Sequence, residues 1–82
     1  MIRVMNESRE QKVNRLKTEY PEGTRIRLIK MNDIQAPPMN TCGTVSKVDD
    51  IGNIMVRWDN GSLLSLLEDE DEFEKIQFER RG

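Results

Sequence analysis

The spacing of apolar residues changes character along the chain. Up to about Glu19 there is no Gly or Pro, and Ile2, Met5, Val13, Leu16 and Tyr20 form a three-four spaced stripe, with Arg9 filling the remaining place. That period predicts an amphipathic helix with a thin apolar face, over about residues 6–19. Asn6 or Ser8 can cap its start, and Pro21 with Gly23 ends it, because a residue before proline is pushed out of the helical region.

From Thr24 the pattern alternates. Ile26 and Leu28 share one face while Arg25 and Arg27 take the other, which predicts a half-buried strand to Lys30. Asn32 to Asn40 contains Pro37 and Pro38 and reads as a long, stiff connection. Thr41 to Asp49 is a second strand, but Val45 and Val48 lie three positions apart and share a face only if a bulge falls near Ser46-Lys47. Asp49 to Asn53 is a turn with Gly52 at positive φ, and Ile54, Val56 and Trp58 alternate as a third strand. For the next hairpin, a two-residue Asn60-Gly61 loop pairs Val56 with Ser65. A three-residue Asp59-Asn60-Gly61 loop pairs Trp58 with Ser62, Val56 with Leu64 and Ile54 with Leu66, and is preferred because it gathers the better apolar set on one face. It leaves Met55, Leu63 and Leu67 outward, where the helix is expected to cover them. Phe73, or Ile76 with Phe78, supplies a short closing strand. Five short strands with tight turns predict a small barrel. Its expected core is Ile26, Leu28, Val45, Ile54, Val56, Leu64, Leu66 and Phe73.

Composition narrows the function classes. With 82 residues there is room for one domain and a small core, and the chain has no His and one Cys. The usual general base, the commonest metal ligand, an internal disulfide and a multi-Cys zinc site are therefore all missing. No apolar run approaches the ~20 residues of a membrane span, and nothing resembles a signal peptide, so a cytoplasmic setting is expected. The net charge of −2 conceals a division. Residues 1–31 carry eight Lys/Arg against four Glu, and residues 32–82 carry five Lys/Arg against eleven Asp/Glu.

Several segments together resemble a known family: Tyr20-Pro21-Glu22-Gly23-Thr24-Arg25-Ile26-Arg27-Leu28, Gln35-Ala36-Pro37-Pro38, Gly43-Thr44-Val45, Val48 to Ile54, and Trp58-Asp59-Asn60-Gly61-Ser62. They resemble a small bacterial domain of unknown function whose members look like SH3-like barrels, encoded on phages, conjugative elements and other mobile DNA of Gram-positive bacteria. The resemblance covers roughly residues 20–76 and implies that fold, without an activity or a set of catalytic residues. Where family members often carry Gly or Pro after the fourth strand, this chain has the acidic run Glu68 to Glu72.

Candidate chemistry is sparse. Asp49, Asp50 and Asp59 lack the alternate spacing of a calcium loop and sit in turns that need their hydrogen bonds. Cys42 has no neighbouring His or second Cys to mark it as a nucleophile, and reads as a small, partly buried residue. Arg25, Arg27, Lys30, Lys47 and Arg57, with Arg9, Lys12, Arg15 and Lys17 of the helix, offer charges for nucleic-acid phosphates. A sequence pI near 5.1 and four aromatic residues weigh against that use. Trp58 is read as structural or as a partner anchor at the barrel rim. The acidic surface Glu68, Asp69, Glu70, Asp71 and Glu72 is read as a solvated loop or as an imitation of nucleic-acid phosphates.

The expectation is a mainly β fold, a five-stranded SH3-like barrel over residues 23–79 preceded by one helix and its turn over 1–22. The expected function is a non-enzymatic protein-interaction module from a phage or mobile element, without cofactor or metal, binding a protein through Ile34, Met39 and Trp58. The competing classes are an acidic anti-defence inhibitor, for example of a host nuclease or CRISPR effector, and a nucleic-acid-binding barrel. Self-association is open and no membrane is involved.

Overall fold

The computed structural model describes residues 7–76. Helix α1 spans Arg9–Glu19. Ser8 is its N-cap: the Ser8 hydroxyl accepts from the Gln11 backbone N–H while the Gln11 side chain accepts from the Ser8 N–H, a reciprocal capping box. Of the expected stripe, Val13 and Leu16 are buried and Tyr20 half-buried; Ile2, Met5 and Asn6 lie outside the described residues.

Five strands follow: β1 Arg25–Lys30, β2 Cys42–Val48, β3 Asn53–Trp58, β4 Leu66–Leu67 and β5 Glu72–Lys75. They form one antiparallel sheet in the order β4-β3-β2-β1-β5, a small barrel-like fold of the expected class. The β2–β3 register shifts between Val45 and Lys47, where the apolar spacing required a bulge. Val45 and Val48 then both point inward, opposite Val56 and Ile54. The three-residue hairpin loop is also present. Gly61, at φ 94°, donates its N–H to the Trp58 carbonyl, Trp58 donates to Ser62, and Ile54 pairs with Leu66.

Strand β4 is shorter than expected. The Trp58 indole Nε1 donates to the Leu64 carbonyl at 2.8 Å and Ser62 N–H turns to the Asn60 side chain, so residues 62–65 serve those groups in place of a ladder. Leu64 is consequently only partly buried. The closing strand uses Phe73, which packs partly buried at the margin of the core with its ring 5.5 Å from that of Tyr20. Ile76 adds one hydrogen bond to Arg25, and Phe78 lies outside the described residues.

The core joins Val13 and Leu16 of α1 to Ile26, Leu28, Val45, Val48, Ile54, Val56, Trp58 and Leu66. Helix and barrel thus share one core. The helix does not cover the outward apolar residues, because Met55, Leu63 and Leu67 stay 37, 72 and 38% exposed. It lies instead against β2 and the β2–β3 turn, beside buried Gly52; a β-carbon there would stand 3.9–4.0 Å from Lys12, Val13 and Leu16, an ordinary contact, so the turn's positive φ of 93° and not lack of space calls for glycine. Gly43 is packed more tightly still. A β-carbon there would stand 2.6 Å from Val56 Cγ1 and 2.9 Å from the Trp58 ring, so Gly43→Ala is expected to cost about 1–3 kcal/mol by overpacking. The urea midpoint followed by circular dichroism measures it.

Candidate interaction surface

The loop between β1 and β2 carries the apolar candidates. Its ends are tied down: Leu28 donates to the Thr41 carbonyl, Asn40 donates to the Leu28 carbonyl, and Thr41 donates to Pro38 through both its N–H and its hydroxyl. Asp33 accepts the Gln35 and Ala36 N–H groups, Pro37 is buried, and Asn40 takes positive φ, which Asn tolerates better than most residues. These restraints hold Ile34 completely exposed and Met39 68% exposed. Met39, Pro37 and Met31 line a small cavity of about 150 Å³ with Leu28, Ile29 and Lys30.

Trp58 does not join them. It is 3% exposed and its indole N–H is already satisfied, so it is a core residue and not a partner anchor at the rim. A tryptophan at the end of a strand beside a polar turn reads alike in both roles. What decides between them is the space left by Gly43 on the neighbouring strand, directly paired with Trp58.

The acidic run is divided among local tasks. Glu68 takes a two-pronged contact from the Arg15 guanidinium, with both nitrogens at 2.8 Å, and Asp69 takes Lys12 at 2.8 Å. Asp71 turns back to accept the Leu67 N–H. Glu70 and Glu72 have no cation beside them among the described residues. Arg15 also holds Glu7, whose carboxyl it keeps below the ordinary range, while the two carboxylates raise the affinity of the guanidinium for its proton. Lys12 lowers the Asp69 carboxyl in the same way. The basic helix and the acidic closing segment therefore meet each other.

Other charges follow the same rule. Arg25 grips Asp59 through two hydrogen bonds of 2.9 and 2.8 Å and keeps that carboxyl low. Arg27 pairs with Glu74, and Lys17 lies 3.6 Å from Asp50. Asp49 is a turn residue. Burial opposes its ionisation, but hydrogen bonds from Asn53, Ile51 and Gly52 outweigh that and lower its pKa. Cys42 is half-buried, its thiol directed to the Asn40 carbonyl. Among the described residues no group of three or more Cys, Asp or Glu is placed to hold a metal, and no helix is long and apolar enough to cross a membrane.

Two features were not legible in the sequence. One is a cleft of about 470 Å³ between the end of α1 and β2, bordered by Lys17, Tyr20, Ser46, Lys47 and Asp50. The other is the placing of Lys47 directly across from Met55 on the outer sheet face, which depends on the bulge.

Neither the curated proteins nor the solved structures include a match to the chain. A family model does match, over residues 9–76, from the first residue of α1 to the residue after β5. It takes in the helix as well as the barrel, in agreement with their common core. The chain belongs to the family described as a domain of unknown function, DUF4314.

Proposed function

We propose that the protein is a non-enzymatic protein-interaction module, encoded on a phage or other mobile element of Gram-positive bacteria and working in the cytoplasm. The observation that carries the reading is Ile34, fully exposed on a loop whose two ends are hydrogen-bonded to the barrel, with Met39 exposed on the same loop. Apolar side chains held out by a restrained loop lose little conformational freedom on binding. Trp58 drops out of the proposed contact set because it is enclosed.

The competing readings have less support. Of the acidic run, Glu68, Asp69 and Asp71 are engaged within the chain, which leaves little of a phosphate-like array. The nucleic-acid reading loses Lys12, Arg15, Arg25 and Arg27 to carboxylates and Trp58 to the core. The test is quantitative affinity purification from the native host with the wild type and the Ile34→Ser/Met39→Ser variant. Proteins enriched by the wild type are expected to fall about tenfold with the variant, at unchanged thermal stability. Retention of the same proteins at the same level overturns the assignment.

A further inference from the structure

The turn that joins β3 to β4 holds a pair of residues with a chemistry of their own. Asn60 is followed by Gly61, and no other asparagine of the chain is followed by glycine. A backbone nitrogen can attack the side-chain amide of the asparagine before it, and asparagine counts among the thermolabile residues for that reason. Glycine is the most favourable follower, because it has no β-carbon to crowd the nitrogen and few restrictions on its backbone. After Asn14, Asn40 and Asn53 come Arg15, Thr41 and Ile54, whose side chains stand in the way. Asn60 and Gly61 are both exposed, and the space beside the Gly61 α-carbon is open, so water reaches the site.

The fold holds both reacting groups elsewhere. The Asn60 Oδ1 accepts the Ser62 N–H at 3.0 Å, and the Gly61 N–H is donated to the Trp58 carbonyl at 2.9 Å. Trp58 is enclosed in the core and its own N–H donates to the Ser62 carbonyl, so the carbonyl that takes the Gly61 N–H is fixed. We propose that Asn60 is a site of spontaneous modification, closed while the hairpin turn is intact and converted to aspartate or isoaspartate when the turn opens. In the open turn the Gly61 nitrogen gives its proton to a solvent base and forms a bond to the Asn60 Cγ. The bond from Cγ to the side-chain nitrogen breaks, and that nitrogen takes up a proton and leaves as ammonia. Water then adds to one of the two carbonyl carbons of the cyclic imide and breaks its bond to the Gly61 nitrogen. One water is consumed and one ammonia released, and no oxidant or reductant takes part.

The two products differ in what they do to the turn. Aspartate keeps the backbone and an oxygen for the Ser62 N–H. Isoaspartate carries the chain through Cγ and so lengthens a loop whose three residues set Trp58 opposite Ser62 and Ile54 opposite Leu66. Turns open locally without global unfolding, so conversion proceeds in the folded population at a rate set by that opening. The proposal is independent of what the 34–39 loop binds.

Ageing of the full chain at neutral pH, in buffer and in concentrated urea, tests it, with peptide mapping by mass spectrometry to locate each amide that becomes an acid. Conversion at Asn60 is expected to be slower in buffer than in urea by about tenfold or more, and in urea to outpace every other asparagine. Gly61→Ala is expected to slow the reaction in urea about tenfold, which identifies the attacking nitrogen where folding plays no part. The isoaspartate form, separated by reversed-phase chromatography and refolded, is expected to unfold at lower urea than the unaged protein, while Asn60→Asp unfolds close to it. Rates in buffer and urea within about twofold of each other overturn the proposal, since the turn then gives no protection. Conversion in urea that falls first on another asparagine, or that Gly61→Ala does not slow, overturns it as well. An isoaspartate form as stable as the unaged protein overturns the account of the loop length.

Discussion

Trp58→Ala is expected to lower stability by about 3–5 kcal/mol, a large share of the roughly 4–12 kcal/mol that a domain of this length holds. Two losses combine. The ring leaves a cavity beside Gly43 and Val56, and the Leu64 carbonyl loses the indole N–H that fixes the chain between the hairpin turn and β4. Trp58→Phe separates them, since it keeps most of the apolar volume and removes the donor, at an expected cost of about 1–3 kcal/mol. Urea unfolding followed by far-ultraviolet circular dichroism reads both variants, because the chain has no other tryptophan to report by fluorescence. A change below about 1 kcal/mol for Trp58→Ala would contradict its place in the core.

Leu16→Ala is expected to cost about 2–5 kcal/mol and to release α1 from the barrel. Leu16 is fully buried and, with Val13, is the apolar anchor of the helix. Arg15 sits one residue away and makes the more conspicuous contacts, yet its side chain is 36% exposed and that of Glu68 is 27% exposed. An ion pair so open to water contributes about 0–1 kcal/mol, so Arg15→Ala is expected to be the milder change. Hydrogen exchange across Arg9–Glu19 distinguishes the two. Leu16→Ala should remove protection of the helix amides, and Arg15→Ala should leave most of it. The reverse order would mean that charge, not apolar packing, fastens the helix.

What could be read in advance was local. Alternation placed β1 and β3, and the three-residue interval between Val45 and Val48 required the bulge that the β2–β3 register contains. The three-residue Asp59-Asn60-Gly61 loop sets the hairpin, because it is the one that gathers Ile54 and Leu66 on one face. The helix dock was not readable, since Val13 and Leu16 alone do not indicate which apolar surface they meet, and Met55, Leu63 and Leu67 offered a plausible but mistaken one. Nor does Gly52 mark the dock: the helix packs beside it at ordinary contact distance, and what the glycine supplies is the positive φ of the turn. The fate of the acidic run was equally hidden. Its partners Lys12 and Arg15 lie more than fifty positions away, and no short-range pattern links them. The exposure of Ile34 and Met39, by contrast, follows from apolar residues placed in a proline-containing loop, a signal that is present in the chain itself.

The position of β1 between β2 and β5 sets an order of events in synthesis. The strand emerges early, but one of its two neighbours is Glu72–Lys75, and Leu28 must wait for Phe73. The ion pairs from Lys12 and Arg15 to residues 68–69 and from Arg27 to Glu74 close over similarly long intervals. A ribosome-bound chain lacking residues 68–76 therefore has an open edge on β1 and unmatched positive charge near its start. The β2–β3 hairpin can form on the ribosome, whereas the complete sheet forms only after residue 76 has cleared the exit tunnel. Sheets closed by such distant pairings fold slowly for their size. The pairing of β1 with β5, more than any local element, is then the step that completes this fold.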